Sequence, residues 1–296
     1  MISIKELMCL NEKERINLQK GIIRKLVIGA WAPREPEIMK TVLNALNSRK
    51  QISKNLIAKI MDRIFSIGMY TQIVTYHEVA EFINSMPDSF KIACGPCACR
   101  INTAEELGPD AIDIKAGKFE FIKQTPLNVD IQFGVCGEEF GKLESYKTIT
   151  KRELLELEKE CHNLGLVSNI YVMLNGEGSI CHCSSKTCVP LMANKCTSGK
   201  GHFIKRGEHV AKTNPSLCNN TGYCTKVCHF NARRLINENG KMILQYDQAK
   251  CYGCGLCESV CPEKAVKMIK RKERVGQVAI FFYQGYRHKC VIHQNR

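Results

Sequence analysis

The sequence predicts an α+β fold made of three consecutive regions, and three observations support it. Residues 1–90 contain almost no cysteine and repeat apolar residues at helical spacing. Residues 91–215 mix helix-like and strand-like patterns and carry several cysteines. Residues 216–296 contain one cysteine spacing twice, followed by a basic tail. We therefore expect a helical N-terminal region, a mixed α/β middle region and a small cysteine-rich C-terminal domain.

The composition indicates a globular chain with a basic surface. Of the 296 residues, 44% are apolar and 24% are charged, and the formal net charge is +14. No apolar run reaches the ~20 residues that cross a membrane. The N-terminus lacks the continuous apolar segment of an export signal. We therefore expect a cytoplasmic protein, whose 18 cysteines bind metal or do redox chemistry rather than form disulfides.

Short packed helices are expected in the N-terminal region. Residues 35–50 and 53–68 each place apolar side chains on one face, and residues 75–86 form a third candidate. No segment has the features of a DNA-recognition helix, so these helices are interpreted as packing elements.

Strands and a capped helix are expected in the middle region. Residues 118–122 and 128–134 have strand composition. Thr150 and Glu153 form a capping box for a helix that ends at Gly165, and residues 166–174 follow as a strand. A domain boundary is predicted at Asn214-Pro215.

The C-terminal region repeats one cysteine motif at an offset of 33 residues, from Cys218 to Cys251. The second copy, "CYGCGLCESVCP", has the complete C-x2-C-x2-C-x3-C-P spacing of bacterial iron–sulfur sites. The first copy, "CNNTGYCTKVCHF", has Thr221 at the second cysteine position and His229 at the proline position. Thiolates at every third residue let a short loop enclose one face of a cubane, so this spacing predicts iron–sulfur binding.

Residues 216–271 resemble the two-cluster bacterial-type ferredoxins, in which the fourth cysteine of each motif serves the other cluster. The resemblance implies one complete [4Fe–4S] site, with ligands Cys251, Cys254, Cys257 and Cys228. It implies a second, incomplete site held by Cys218, Cys224 and Cys261. Thr221 is a poor iron ligand, so the second site is expected to hold a [3Fe–4S] cluster, a [4Fe–4S] cluster with another ligand, or no cluster. His229 is interpreted either as a hydrogen-bond donor to cluster sulfur or as a substitution at a turn.

Two upstream cysteine groups fit no standard spacing. They comprise Cys94, Cys97, Cys99, Cys181, Cys183 and Cys188, with Cys136 and Cys196 as candidates to join them. Three interpretations stay open: a further iron–sulfur cluster, a zinc site assisted by His182 or His202, and free thiols. The isolated cysteines Cys9, Cys161 and Cys290 are expected to be buried apolar residues.

A wider resemblance covers residues 91–271 and points to a family of ferredoxin-type, iron–sulfur-binding proteins from anaerobic microbes. Its motifs are Pro96–Arg100, Phe133-Gly134, Ile149–Val167 and Ile180–Cys183, followed by the ferredoxin pair. The chain departs from the family at Ile131, where relatives often have cysteine, and at Ser184 and Ser185. These departures leave the upstream site in doubt.

The sequence therefore predicts an iron–sulfur electron-transfer protein with no catalytic residue to name. The basic surface, including the run at 264–274, favours an acidic redox partner. One alternative is an iron–sulfur oxidoreductase that binds substrate at an open iron. Another is a redox-sensing binding protein, although the sequence lacks the basic, aromatic-interleaved strip of a nucleic-acid binder.

Overall fold

A computed structural model describes residues 28–47, 59, 69–108, 110–114, 126–173, 177–196 and 204–272. Several predictions therefore lie outside the described residues. They are most of the helix at 53–68, the strand at 118–122, the tail beyond 272, and the residues Cys9, His202 and Cys290.

Helices and strands alternate along the described chain. The helices are α1 Ile28–Trp31, α2 Glu35–Asn47, α3 Tyr76–Ser85, α4 Ala98–Leu107, α5 Val135–Phe140, α6 Lys151–Asn163, α7 Val189–Cys196, α8 Tyr223–Lys226 and α9 Leu256–Ser259. Short 3-10 turns occur at Ala32–Arg34 and Gln248–Lys250. The strands are β1 Met69–Ile73, β2 Ile92–Pro96, β3 Asn128–Phe133, β4 Lys147–Thr148, β5 Val167–Met173, β6 Gly178–Cys183, β7 His209–Thr213, β8 Arg233–Glu238, β9 Lys241–Tyr246 and β10 Val266–Lys270. The fold thus mixes helix and strand, and the predicted strands at 128–134 and 166–174 correspond to β3 and β5.

Six strands form one antiparallel sheet in the order β1-β5-β6-β3-β2-β4. Ile180 on β6 pairs with Ile170 on β5 and with Ile131 on β3, and all three side chains are buried. Because side chains alternate between the two faces of a strand, Cys181 and Cys183 face the side opposite Ile180. This alternation decides which cysteines can meet.

Helices α3 and α6 cover the face of the sheet that carries Ile180. Both helices begin with a capping box, at Thr75 and at Thr150. In each box the threonine hydroxyl accepts the backbone N–H of a glutamate three residues later, and the glutamate carboxylate accepts the backbone N–H of the threonine. The predicted box of Thr150 and Glu153 is therefore confirmed. Leu154 of α6 and Phe82 of α3 pack in the same apolar core.

A second apolar core lies on the opposite face of the sheet. It joins Leu43 of α2, Tyr171 of β5, Val189 of α7 and Leu256 of α9. The three predicted regions therefore contribute to one core, and the boundaries at 90 and 215 stay predictions. Within the described segments, every helix is too short or too polar to span a lipid bilayer.

Candidate metal centres

The thiols of the complete motif lie close together in the C-terminal region. Cys251 and Cys254 lie in the loop before α9, and Cys257 lies within α9. Cys228, from the first motif, comes near enough for its charge to interact with those of Cys254 and Cys257. We call these four cysteines the complete site. Burial is the main factor that raises the pKa of Cys257, to about 12.

The three thiols of the incomplete motif also lie together. Cys224 interacts electrostatically with Cys218 and Cys261. With Thr221 these residues line a small cavity that is partly open to solvent. We call the three cysteines and Thr221 the open site. The Thr221 side chain is exposed, so the position that lacks a cysteine lies at the protein surface.

The backbone of the first motif repeats that of the second, including the part around Thr221. Positive φ angles occur at Gly222 and Gly255 (75° and 82°). Two further pairs of residues, each separated by the same 33 positions, also have positive φ: Asn220 with Gly253 (58° and 87°) and Asn231 with Lys264 (51° and 50°). The loop of the open site therefore keeps the conformation of a cluster-binding loop, although one thiol is missing.

Backbone N–H groups point at the sulfur of the fourth cysteine in both motifs. The N–H of Ala232 donates to Cys228 Sγ and that of Ala265 donates to Cys261 Sγ, each at 3.3 Å. Such hydrogen bonds stabilise thiolate charge and tune cluster potential. The donor set and its surroundings thus fit iron–sulfur clusters.

Arg233 lies between the complete site and the open site and was not identified from the sequence. Only 3% of the residue is exposed. Its Nη1 lies 3.8 Å from Cys224 Sγ, its charge also acts on Cys257, and its guanidinium stacks over the Tyr246 ring at 4.5 Å. Because clusters held by thiolates are net anions, a buried cation between them offsets their charge.

Replacing Gly253 with alanine is expected to disrupt the complete site. Gly253 has φ +87°, and a Cβ there would lie 2.3 Å from the carbonyl oxygen of His209. Gly240→Ala is the matched control, because Gly240 has φ +80° but nothing within 4 Å of a Cβ. We expect about 1 kcal/mol of destabilisation for Gly240→Ala from backbone strain. Gly253→Ala should cost at least about 2 kcal/mol more, from the overlap.

The measurement is anaerobic thermal unfolding with the visible absorbance of the clusters as a second readout. Equal effects of the two substitutions would contradict a role for the close approach at Gly253.

Five upstream thiols converge between the large sheet and the start of α4. They are Cys97, Cys99, Cys181, Cys183 and Cys188, and we call them the upstream thiol pocket. Cys188 Sγ lies 3.4 Å from Cys183 Sγ. The hydrogen bond that Cys97 donates to Cys99 is the main factor that raises the pKa of Cys97, and burial is the main factor that raises the pKa of Cys181. These thiols therefore hold their protons at neutral pH.

Other candidate upstream cysteines lie elsewhere. Cys94 packs on the face of the sheet that carries Ile131, away from the upstream thiol pocket. Cys136 lies in a separate apolar cluster with Phe140. Cys161 is buried, as predicted for an apolar role. Cys196 has no described side chain.

The two histidines near the pocket are already engaged. His182 Nδ1–H donates to the Val129 carbonyl oxygen at 2.6 Å, and Nε2 is hydrogen-bonded to Glu158 Oε1 at 2.7 Å. His182 therefore faces away from Cys181 and Cys183. His229 Nε2 donates to the Gly165 carbonyl oxygen at 2.7 Å, which leaves Nδ1 to accept the Ser185 N–H at 3.1 Å. His229 thus joins the ferredoxin motif to the middle region, a role that neither interpretation from the sequence included.

The buried carboxylate of Asp130 lies beside the upstream thiol pocket. Asp130 Oδ2 accepts a hydrogen bond from the Tyr146 hydroxyl at 2.6 Å. Its Oδ1 lies 3.7 Å from Cys181 Sγ. Burial, with repulsion from Asp130, raises the pKa of Glu35 to about 8.

Glu35→Gln is expected to stabilise the protein at alkaline pH. The folded-state pKa of Glu35 is about 8, above the ordinary value of 4.5 for a glutamate. The contribution of the protonated carboxyl to stability is therefore full below pH 4.5 and is lost as the pH rises through about 8. The thermal midpoint of the natural chain should therefore fall more than that of the variant between about pH 6 and about pH 9, which lie on either side of the folded-state pKa. Scans at one heating rate measure this, with Glu37→Gln on the exposed side of α2 as control. Parallel pH profiles would contradict the assignment.

Among the described residues, no three His, Cys, Asp or Glu side chains are arranged as ligands of a single metal ion. A cubane binds each thiolate at a different corner, so its ligands stand farther apart than those of one ion.

Comparison with known proteins agrees with the geometry of the C-terminal region. Residues 211–268 match the family model of the 4Fe-4S dicluster domain. No curated protein matches the chain. The match supports a ferredoxin-type iron–sulfur domain near the C-terminus, with at least one [4Fe–4S] cluster and a role in electron transfer.

Proposed function

We propose that the protein carries single electrons between iron–sulfur clusters in its C-terminal domain and a redox protein partner. The observation that carries the proposal is the pair of thiol groups, the complete site and the open site, on either side of buried Arg233. Clusters bound there supply reversible one-electron chemistry. The side chains described so far supply ligands, charge compensation and exclusion of water.

The proposed ligands follow the crossed arrangement of the two motifs. Cys251, Cys254, Cys257 and Cys228 would hold a [4Fe–4S] cluster. Cys218, Cys224 and Cys261 would hold a second cluster, either [3Fe–4S] or [4Fe–4S] with a non-cysteine ligand at the Thr221 position. The retained loop conformation at Asn220 and Gly222 favours a bound cluster over an empty site.

The open site is proposed as the point of electron exchange with the partner. Thr221 is exposed there, whereas Cys254, at the matching position of the complete site, is half-buried. Large apolar side chains are exposed on the flanking segments, with Leu217 at 51% and Met242 at 48%. An exposed apolar patch next to a redox centre is suited to transient docking.

An acidic partner fits the charges around this patch. Arg234, Lys241 and Lys264 are exposed on the strands and turns that flank the open site. Opposite charge on a partner would accelerate encounter and would make the rate sensitive to salt. The whole chain has a formal charge of +14 before any cluster is counted.

The test is potentiometric titration of the anaerobically purified full chain, followed by low-temperature EPR. We expect reversible one-electron transitions from two centres, and electron transfer to an acidic flavodoxin that slows as salt rises. Lys241→Glu with Lys264→Glu should slow that transfer several-fold, while Lys40→Glu, exposed on α2, should leave it unchanged. The absence of any reversible one-electron transition would overturn the proposal.

An iron–sulfur oxidoreductase is the second candidate function, because the open site lacks one cysteine ligand at a position that faces solvent, and an iron with a free position can bind a substrate. A substrate would then shift the EPR signal of the open site. The upstream thiol pocket is proposed as a further metal site, for an iron–sulfur cluster or for zinc.

A further inference from the structure

The upstream thiol pocket brings together cysteines that are distant in sequence. Cys97 and Cys99 come from the start of α4, Cys181 and Cys183 from β6, and Cys188 from the residue before α7. The thiols of Cys183 and Cys188 are buried, with 5% of each residue exposed. A concentration of five thiols at one buried place exceeds what packing alone requires.

Contacts connect four of these thiols in series. Cys183 Sγ lies 3.4 Å from Cys188 Sγ. Cys99 in turn interacts with Cys188 and with Cys97. Cys181 is different, because its thiol lies 3.7 Å from the Asp130 carboxylate and has no described sulfur contact at that distance. Four thiols thus form one group, and the fifth belongs to the hydrogen-bond network of Asp130.

A buried cation lies beside this group. Arg100 is 1% exposed, and its charge acts on Cys97 and Cys183. Its guanidinium is fixed by three bonds, to Asp110 Oδ2 at 3.1 Å and to the carbonyl oxygens of Pro126 at 3.2 Å and His182 at 3.0 Å. Arg100 is therefore a buried cation next to the upstream thiol pocket, just as Arg233 is a buried cation next to the two ferredoxin sites.

The pocket and the complete site share one apolar core. Cys183, Cys188 and Tyr252 are members of it, and Cys254 packs against it. Asn194 of α7 donates to the Tyr252 hydroxyl at 2.7 Å, and the Tyr252 ring stacks on Phe230 with centroids 4.3 Å apart. A redox group in the pocket would therefore have the complete site as its neighbour across packed side chains.

We propose that the upstream thiol pocket binds a third iron–sulfur cluster through Cys97, Cys99, Cys183 and Cys188, and that this cluster exchanges electrons with the complete site. The exchange moves a single electron, so one centre is oxidised as the other is reduced, and no bond forms or breaks. Iron–sulfur chemistry is favoured over zinc because the shared core gives a redox-active occupant an electron partner. The electron exchange rests on the proposed function of the C-terminal domain, whereas binding of the cluster does not.

Iron, zinc and acid-labile sulfide counts on anaerobically purified full-length variants test the binding. Cys183→Ser is expected to lose about four iron and four sulfide per chain. Cys181→Ser is expected to keep them, and Cys94→Ser, in the other core, is the matched control. Stoichiometric zinc, a Cys183–Cys188 disulfide in the purified protein, or equal iron in Cys183→Ser and the natural chain would overturn the proposal. Loss of iron in Cys181→Ser would overturn the ligand assignment.

A second variant keeps the test independent of the ferredoxin sites and of misfolding in Cys183→Ser. With Cys218, Cys224, Cys251 and Cys254 all replaced by alanine, the complete site keeps two ligands and the open site one. Iron and sulfide should then remain for the upstream cluster alone, and their complete loss would overturn the proposal. For the exchange, the EPR signal of the reduced complete site should be broadened by a paramagnetic neighbour in the natural chain. That broadening should be absent in Cys183→Ser. Identical line shapes in the two proteins would contradict electronic contact while leaving the ferredoxin clusters intact.

Discussion

Cys228→Ala is expected to remove the [4Fe–4S] cluster of the second motif, although Cys228 belongs to the first. Its thiol lies with Cys251, Cys254 and Cys257 and receives the N–H of Ala232 at 3.3 Å. Because a cubane needs a ligand at each corner, removal of one buried thiolate should cost about four iron per chain or convert the cluster to a three-iron form. Iron and sulfide analysis with EPR distinguishes these results.

Two matched variants make this test specific to the crossed arrangement. Cys254→Ala should give the same spectral change as Cys228→Ala, since both ligands belong to the complete site. Cys224→Ala should instead alter the signal of the open site, because Cys224 lies with Cys218 and Cys261. If Cys228→Ala and Cys224→Ala changed the same signal, each motif would serve its own cluster and the crossed assignment would be wrong.

Thr221→Cys is expected to complete the open site. Position 221 lies between Asn220 and Gly222, whose φ angles of 58° and 75° match those around Cys254 in the second motif. A thiol placed on this backbone should face the same space as Cys218 and Cys261. We expect about one additional iron per chain and replacement of a three-iron or ligand-exchangeable EPR signal by that of a second cubane.

The same variant separates the two candidate functions. Occupation of the open position by a thiolate should leave electron transfer in place and shift its potential, because ligand charge tunes the cluster. It should abolish any reaction that needs a vacant iron. Asn219→Cys is the control, because Asn219 lies two residues before Thr221 in the same loop and is also exposed. Unchanged iron content and an unchanged spectrum in Thr221→Cys would contradict a cluster in the open site.

Local patterns in the sequence were sufficient wherever the chemistry is local. The capping box of Thr150 and Glu153 forms because its hydrogen bonds join residues three apart. The second cysteine motif was recognisable for the same reason, since its spacing alone encloses a cluster. The roles of Arg100, Arg233 and His229 could not be predicted, because each acts on residues that are remote in sequence.

The upstream cysteines show where sequence spacing stops being informative. Cys94 and Cys97 are neighbours along the chain, and the sequence placed both in one candidate site. The pleat of β2 turns Cys94 into the core beneath α3 and α6, whereas Cys97 follows the strand and its thiol contacts Cys99 at the start of α4. His182 and Cys181 are separated in the same way, because adjacent residues of a strand face opposite sides of the sheet.

The sequence by itself determined the mixed α+β character, the duplicated cysteine motif and the iron–sulfur chemistry of the C-terminal domain, because helix caps, strand patterns and ligand spacing are short-range features. Only the tertiary structure decided which upstream thiols meet, which buried cations accompany the thiol groups, and that the pocket and the complete site share a core. Those outcomes depend on the order of strands in the sheet and on which face each side chain occupies. Long-range pairing of this kind leaves no trace in local spacing.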